Sequence, residues 1–83
     1  MVSGKWYKVN YGGDMWILKF CRIYRNNIHT DHSAIGNSRY DEPDSSWGGI
    51  NSCESIEPAT REEVLHYYPD EKLDEINNTY QIY

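Results

Sequence analysis

His29-Thr30-Asp31-His32 is the densest group of metal-ligating side chains in the chain. Two imidazoles and a carboxylate suit a transition metal when they converge. On an extended backbone His29 and Asp31 share one face and His32 takes the other, so the segment makes a poor ligand set even with His66 as a distant donor. No bound metal is expected. Asp41, Glu42 and Asp44 crowd around Pro43. Acid–base catalysis needs such carboxyls shifted and sheltered in a cleft, and a polar loop solvates them instead. Tyr11-Gly12-Gly13-Asp14 is too short for a phosphate-cradling loop and lacks its lysine, and there is no serine elbow. Cys21 and Cys53 have no paired spacing and no activating neighbours. The expectation is a protein without catalytic residues or cofactor.

Binding chemistry has more material. Twelve of the 83 residues are aromatic, and eight of these are tyrosines. An aromatic pocket edged by arginines would hold a base and a phosphate, and Trp6, Arg22, Arg39, Tyr40 and Trp47 are the candidates for a small nucleotide ligand. Lys5, Trp6, Tyr7, Lys8, Lys19, Arg22, Tyr24 and Arg25 could face single-stranded nucleic acid, against which the net charge of −5 acts at long range. Charge is also unevenly spread. Residues 1–40 carry six basic groups against two acids, whereas residues 41–83 carry two against eleven. Asp41, Glu42, Asp44, Glu62, Asp70 and Glu71 are therefore candidates for an acidic patch that meets a protein partner.

The elements that must position these groups read as one domain, residues 1–83. Strands lie within about 5–57, a helix covers about 60–68, and an acidic tail runs over 69–83. Lys5-Trp6-Tyr7-Lys8-Val9 is a first strand, and Gly12-Gly13 a turn. Residues 15–25 form a long strand with apolar groups on both sides. Trp16, Leu18, Phe20 and Tyr24 fall on one face and Met15, Ile17, Cys21 and Ile23 on the other, so both faces call for cover. Asn26-Asn27 is a hairpin turn before a third strand at 28–35. Residues 36–46 are polar and breaker-rich, and read as a loop. Gly48-Gly49 marks a bulge or a close backbone approach before a last strand at 52–57.

Thr60-Arg61-Glu62-Glu63 is a capping box that starts a helix, and Pro69 ends it. One further turn is read at 70–76, and Tyr80, Ile82 and Tyr83 suit an edge strand. These elements predict a mostly β chain with a short C-terminal helix, in an α+β arrangement. Its sheet is expected to be a small SH3-like antiparallel barrel or a curved sheet. If the helix is too narrow a cover, Ile17, Cys21 and Ile23 mark a contact between copies of the chain, hence a possible homo-oligomer.

Gly4-Lys5-Trp6-Tyr7-Lys8, Trp16-Ile17-Leu18-Lys19-Phe20 and Trp47-Gly48-Gly49-Ile50 together form a layout of spaced aromatics. It is joined by Ser55-Ile56-Glu57-Pro58-Ala59-Thr60-Arg61-Glu62-Glu63-Val64 and Tyr68-Pro69-Asp70-Glu71. This layout resembles small accessory proteins of phages and mobile elements of Bacteroidota-type bacteria. The resemblance implies a phage accessory setting and transfers no functional residue. The N-terminal residues lack the apolar core of a secretory signal, and no apolar run reaches a membrane span. With two unpaired cysteines, this places the protein in the cytoplasm of a bacterial host cell. The functional expectation is a non-enzymatic binding protein that occupies a host or phage protein, as a counter-defence inhibitor would. The alternatives are an oligomer that sequesters a small nucleotide signal, and a single-stranded nucleic-acid binder.

Overall fold

The computed structural model describes residues 1–71. The expected turn at 70–76 and edge strand at Tyr80, Ile82 and Tyr83 fall wholly or largely outside them. Six strands form one antiparallel sheet: β1 (Trp6–Tyr11), β2 (Asp14–Tyr24), β3 (Asn27–Ile35), β4 (Ser38–Tyr40), β5 (Ser45–Gly49) and β6 (Cys53–Pro58). A 3₁₀ turn at Ile50–Ser52 precedes β6, and the helix α1 spans Arg61–Tyr67. The sheet order is β4-β3-β2-β1-β6, and β5 pairs with β3 as well. β5 and β6 are not paired, so the sheet is not closed into a barrel.

β3 serves two partners along one edge. Ser33, Ala34 and Ile35 pair with β4, while residues 27–30 pair with β5. The β4 strand corrects the reading of residues 36–46 as loop. Gly36, at φ +57°, turns the chain after β3, and Ser38-Arg39-Tyr40 then pairs back onto it. The β2–β3 hairpin turns at Arg25 and Asn26, which hold φ of 51° and 64°, one residue earlier than expected. Two adjacent positive φ values give the turn a twist that matches its flanking strands.

Side chains alternate across the sheet and fill a core on each face. Against α1 lie Trp6, Ile17, Ala34, Ala59, Val64 and Tyr68. The opposite face gathers Tyr7, Val9, Leu18, Phe20 and Ile28, with Trp47 and Ile56 packed onto them. Both faces of β2 are thus covered, as its apolar content requires.

The cover is uneven along β2. The register between β2 and β3 shifts twice, so that Asp31 on β3 and Cys21 on β2 have no cross-strand partner. An unpaired residue reverses the alternation beyond it. Ile23 therefore pairs with Ile28 and takes the face of Phe20, not that of Ile17. The expected stripe of Ile17, Cys21 and Ile23 is accordingly broken up. Ile17 is buried beneath α1, whereas Ile23 is exposed near the hairpin tip. Met15 also stays exposed at the other end of β2.

The helix begins as its sequence requires. The Thr60 hydroxyl accepts from the Glu63 amide at 3.2 Å, and the Glu63 carboxylate accepts from the Thr60 amide at 2.7 Å. Val64 and Tyr68 enter the core, and the Tyr68 hydroxyl donates to the Ser33 carbonyl at 3.0 Å. Among the described residues no helix is long and apolar enough to cross a membrane.

Candidate functional site

On the face away from α1, alternation along four strands brings a set of aromatic side chains to one cleft. Trp16 shares the phase of Leu18 on β2, and Tyr11 ends β1. Tyr40 faces Ser33 across β3 and β4. Trp47 lies at the register shift between β3 and β5, where it has no cross-strand partner. The four rings touch in series: Tyr11 to Trp47 with centroids 4.9 Å apart, Trp47 to Trp16 at 5.5 Å, and Trp16 to Tyr40 at 5.9 Å. The first two contacts are edge-to-face, an arrangement that ring quadrupoles favour.

The cleft measures about 470 Å³, within the ordinary range for ligand sites. Thr30 and Ser33, both buried, lie among its lining and bring hydroxyls to it. Ser45 and Ser46 add two more. Asp41 and Glu42 supply its charge, and among the described residues no lysine, arginine or histidine lines it. Gly48 makes room for one wall. A Cβ there would sit 3.2 Å from the Tyr11 ring, so any larger residue would push the ring by a few tenths of an ångström.

The loop leading into β5 is held by one carboxylate. Asp44 receives two hydrogen bonds from Arg22, at 2.8 and 2.9 Å, and its own amide donates to Asp31 at 3.0 Å. His29 lies 3.2 Å from the same carboxylate. The Arg22 hydrogen bonds and charge hold the Asp44 carboxyl below its usual range against the opposing cost of burial. Asp44 sits at φ +52°, a strained conformation that this network holds in place.

On the α1 side a second network joins β3, β4 and the helix. Asp41 accepts from Arg39 at 3.0 Å and lies 3.0 Å from His32. Burial raises its carboxyl, but the hydrogen bond with His32, the nearby Tyr68 hydroxyl and the Arg39 charge outweigh that and lower it. Arg39 also donates to the Tyr67 carbonyl at 3.1 Å and lies 4.2 Å from the Tyr68 ring centre. Desolvation, then the Asp41 carboxylate, pushes the Tyr68 hydroxyl well above its normal range.

The expected nucleotide-binding residues are therefore split. Tyr40 and Trp47 meet at the cleft. Trp6 is only 2% exposed, stacked 5.9 Å from His32, with its indole N–H donating to Glu71 at 2.8 Å. It is a core residue and offers no platform. Arg22 and Arg39 do not line the cleft; Arg22 is committed to Asp44, and Arg39 to Asp41 at the cleft's border.

The expected acidic patch is dispersed too. Asp44 and Glu71 are paired, the latter with Lys19 at 3.5 Å. Glu62 lies in the first turn of α1 and Asp70 beyond its end, while Asp41 and Glu42 border the cleft. The lysines proposed for nucleic acid fare similarly. Lys8 bridges Glu57 and Glu63 at 3.1 Å each, and both partners raise its pKa.

His29 and Asp31 both turn onto Asp44, while His32 turns to Trp6 and Asp41. Among the described residues no cluster of three His, Cys, Asp or Glu has the arrangement of a metal site. Burial raises the pKa of the Cys21 and Cys53 thiols, the reverse of what a reactive cysteine needs. Tyr11 and Trp16 are the aromatic site residues that sequence reasoning missed, along with the hydroxyl-bearing Thr30, Ser33, Ser45 and Ser46. The phase of Trp16 on β2 was the available signal, since it places that ring beside Leu18 beyond the end of the buried run. No family model matches the chain, and neither a curated protein nor a solved structure does.

Proposed function

We propose that the protein is a non-catalytic binding module that grips a cationic segment of a protein partner in the aromatic cleft. The observation that carries this reading is the composition of the lining: four contiguous aromatic rings, two acids and, among the described residues, no cation. Aromatic faces and carboxylates both attract a desolvated cation, and the exposed rings supply apolar area. Asp41 and Glu42 at the cleft would draw a basic segment toward it.

The setting we attach to this reading is that of the phage accessory proteins the chain resembles, with a host protein as partner and occupation of that partner as the mode of action. A nucleotide ligand is disfavoured, because its phosphate would meet Asp41 and Glu42 and the arginines expected to hold it are already paired.

The test is to follow the indole N–H resonances of Trp16 and Trp47 in the full chain. Short basic peptides should move both, and nucleoside monophosphates and cyclic dinucleotides should move neither. Shifts and a raised melting temperature with nucleotides alone would replace this reading with the nucleotide one.

A further inference from the structure

We propose that the cleft is a receptor for an arginine side chain of the partner, in preference to lysine. This rests on the reading of the cleft as a site for a cationic segment. The chain itself displays the chemistry on its opposite face. Arg39 lays its guanidinium over the Tyr68 ring at 4.2 Å while donating to the Asp41 carboxylate and the Tyr67 carbonyl.

One residue further along β4 the side chain points to the other face, and the same ingredients recur there without the cation. Tyr40 lies beside Trp16, with the Asp41 and Glu42 carboxylates next to them. Tyr40 is 55% exposed, far more than a ring with a full set of neighbours.

The two carboxylates are not equivalent. Both Asp41 oxygens are engaged, one by His32 and one by Arg39. Glu42 takes part in no ion pair among the described residues, so it is the carboxylate that receives the guest. A guanidinium is planar, weakly hydrated and carries five donors. It can stack on Tyr40 or Trp16 and still donate to Glu42 and to hydroxyls among Thr30, Ser33, Ser45 and Ser46. An ammonium group is strongly hydrated and does not stack, so lysine gains less from the same walls. The volume of about 470 Å³ exceeds one side chain, so the residues flanking the arginine are also accommodated along Trp47 and Tyr11.

The test uses decapeptides that differ only at a central position, which is arginine, lysine or citrulline, the uncharged shape-mimic of arginine. Binding to the full chain is read from tryptophan fluorescence and the two indole resonances. The arginine peptide should bind about 3- to 10-fold tighter than the lysine peptide, the range set by stacking and cation–π terms, and the citrulline peptide should not bind measurably. Glu42→Gln, at an exposed position, should remove most of that preference without lowering the melting temperature, and Tyr40→Ala should remove it with a small fall from the lost contact with Trp16.

Equal affinity for arginine and lysine would overturn the arginine proposal and leave the cationic reading standing. Binding of citrulline as tight as arginine, or no indole shift with any of the three at millimolar concentration, would overturn both.

Discussion

Arg22 and Asp44 close on each other through two nearly equal hydrogen bonds, 2.8 and 2.9 Å, from positions 22 residues apart. A planar guanidinium meeting a carboxylate this way fixes orientation as well as distance. The pair anchors the loop between β4 and β5 to β2, at the place where Cys21 drops out of the strand register. Ser45, Ser46 and Trp47 of the cleft follow directly on that anchor.

Breaking this pair should loosen one wall of the cleft more than it destabilises the whole chain. Exposed ion pairs contribute little to global stability. Asp44→Asn keeps a residue tolerant of positive φ and removes the charge. Amide exchange at residues 41–47 should quicken clearly, while the melting temperature falls only slightly. Asp44→Gly, which relieves the φ strain but deletes the side chain, should show the same loss of protection at those amides. Unchanged exchange in both variants would mean that the loop is held by something other than this carboxylate.

Gly48 offers a second lever on the same wall. Gly48→Ala brings a methyl group to 3.2 Å from the Tyr11 ring, which must move by a few tenths of an ångström. That ring is packed against Trp47, so the displacement passes to the cleft. A loss of about 1 kcal/mol is expected from such crowding, with a shift of the Trp47 indole resonance. Gly49→Ala is the control, since its nearest neighbour would lie at 3.7 Å. It should leave the Trp47 signal where it is.

Features of the fold differ in how far the sequence discloses them, and the reason is the range of the interactions involved. The Thr60 capping box is local, with both of its hydrogen bonds spanning three residues, and it was readable directly. Gly48-Gly49 was readable as a bulge or a site of close approach, although the partner of Gly48, Tyr11, was not.

The bulges at Cys21 and Asp31 were invisible, because neither residue carries a local signal and the register is set by long-range pairing between β2 and β3. From that one omission followed the wrong face for Ile23. β4 was hidden for a related reason. Ser38, Arg39 and Tyr40 are all exposed and look like loop, and only their pairing with Ser33, Ala34 and Ile35 makes them a strand. Of the cleft, Tyr40 and Trp47 were legible as candidate ligand-binding aromatics, but Trp6 was not distinguishable from them. Burial of an indole depends on what α1 lays over it, and that is a tertiary property.

The capping box predicts a graded loss. Thr60→Ala should cost about 1 kcal/mol, the usual contribution of an N-cap side chain, measured by urea denaturation. α1 covers Trp6 and Ile17 through Val64 and Tyr68, so part of that loss should appear as a change in Trp6 fluorescence. Thr60→Ser preserves the hydroxyl and should retain most of the stability. Equal loss for Ala and Ser would show that the methyl group, rather than the cap, matters at this position.

Acid should destabilise the chain through the carboxylates that are paired in the fold. Asp41, Asp44 and Glu63 all have lowered pKa values: Asp41 despite burial, through His32, Tyr68 and Arg39; Asp44 through Arg22; Glu63 despite burial, through Thr60 and Lys8. A carboxyl held below its unfolded value binds its proton more readily in the unfolded chain. Its stabilising contribution is therefore complete above the ordinary value and is lost as pH falls through the depressed one.

The ordinary values are 4.5 for the glutamate and 3.8 for the aspartates, so the melting temperature should begin to fall near pH 4.5 and fall more steeply below 3.8. Asp44→Asn lacks one of these linked protons, and its melting temperature should decline less steeply over the same range, although it starts lower. Added salt should flatten the curve of the parent protein, since the groups involved are mostly exposed. A parent and a variant whose curves run parallel below pH 4 would show that Asp44 keeps its ordinary affinity for protons, and that its pairing with Arg22 contributes nothing to the acid response.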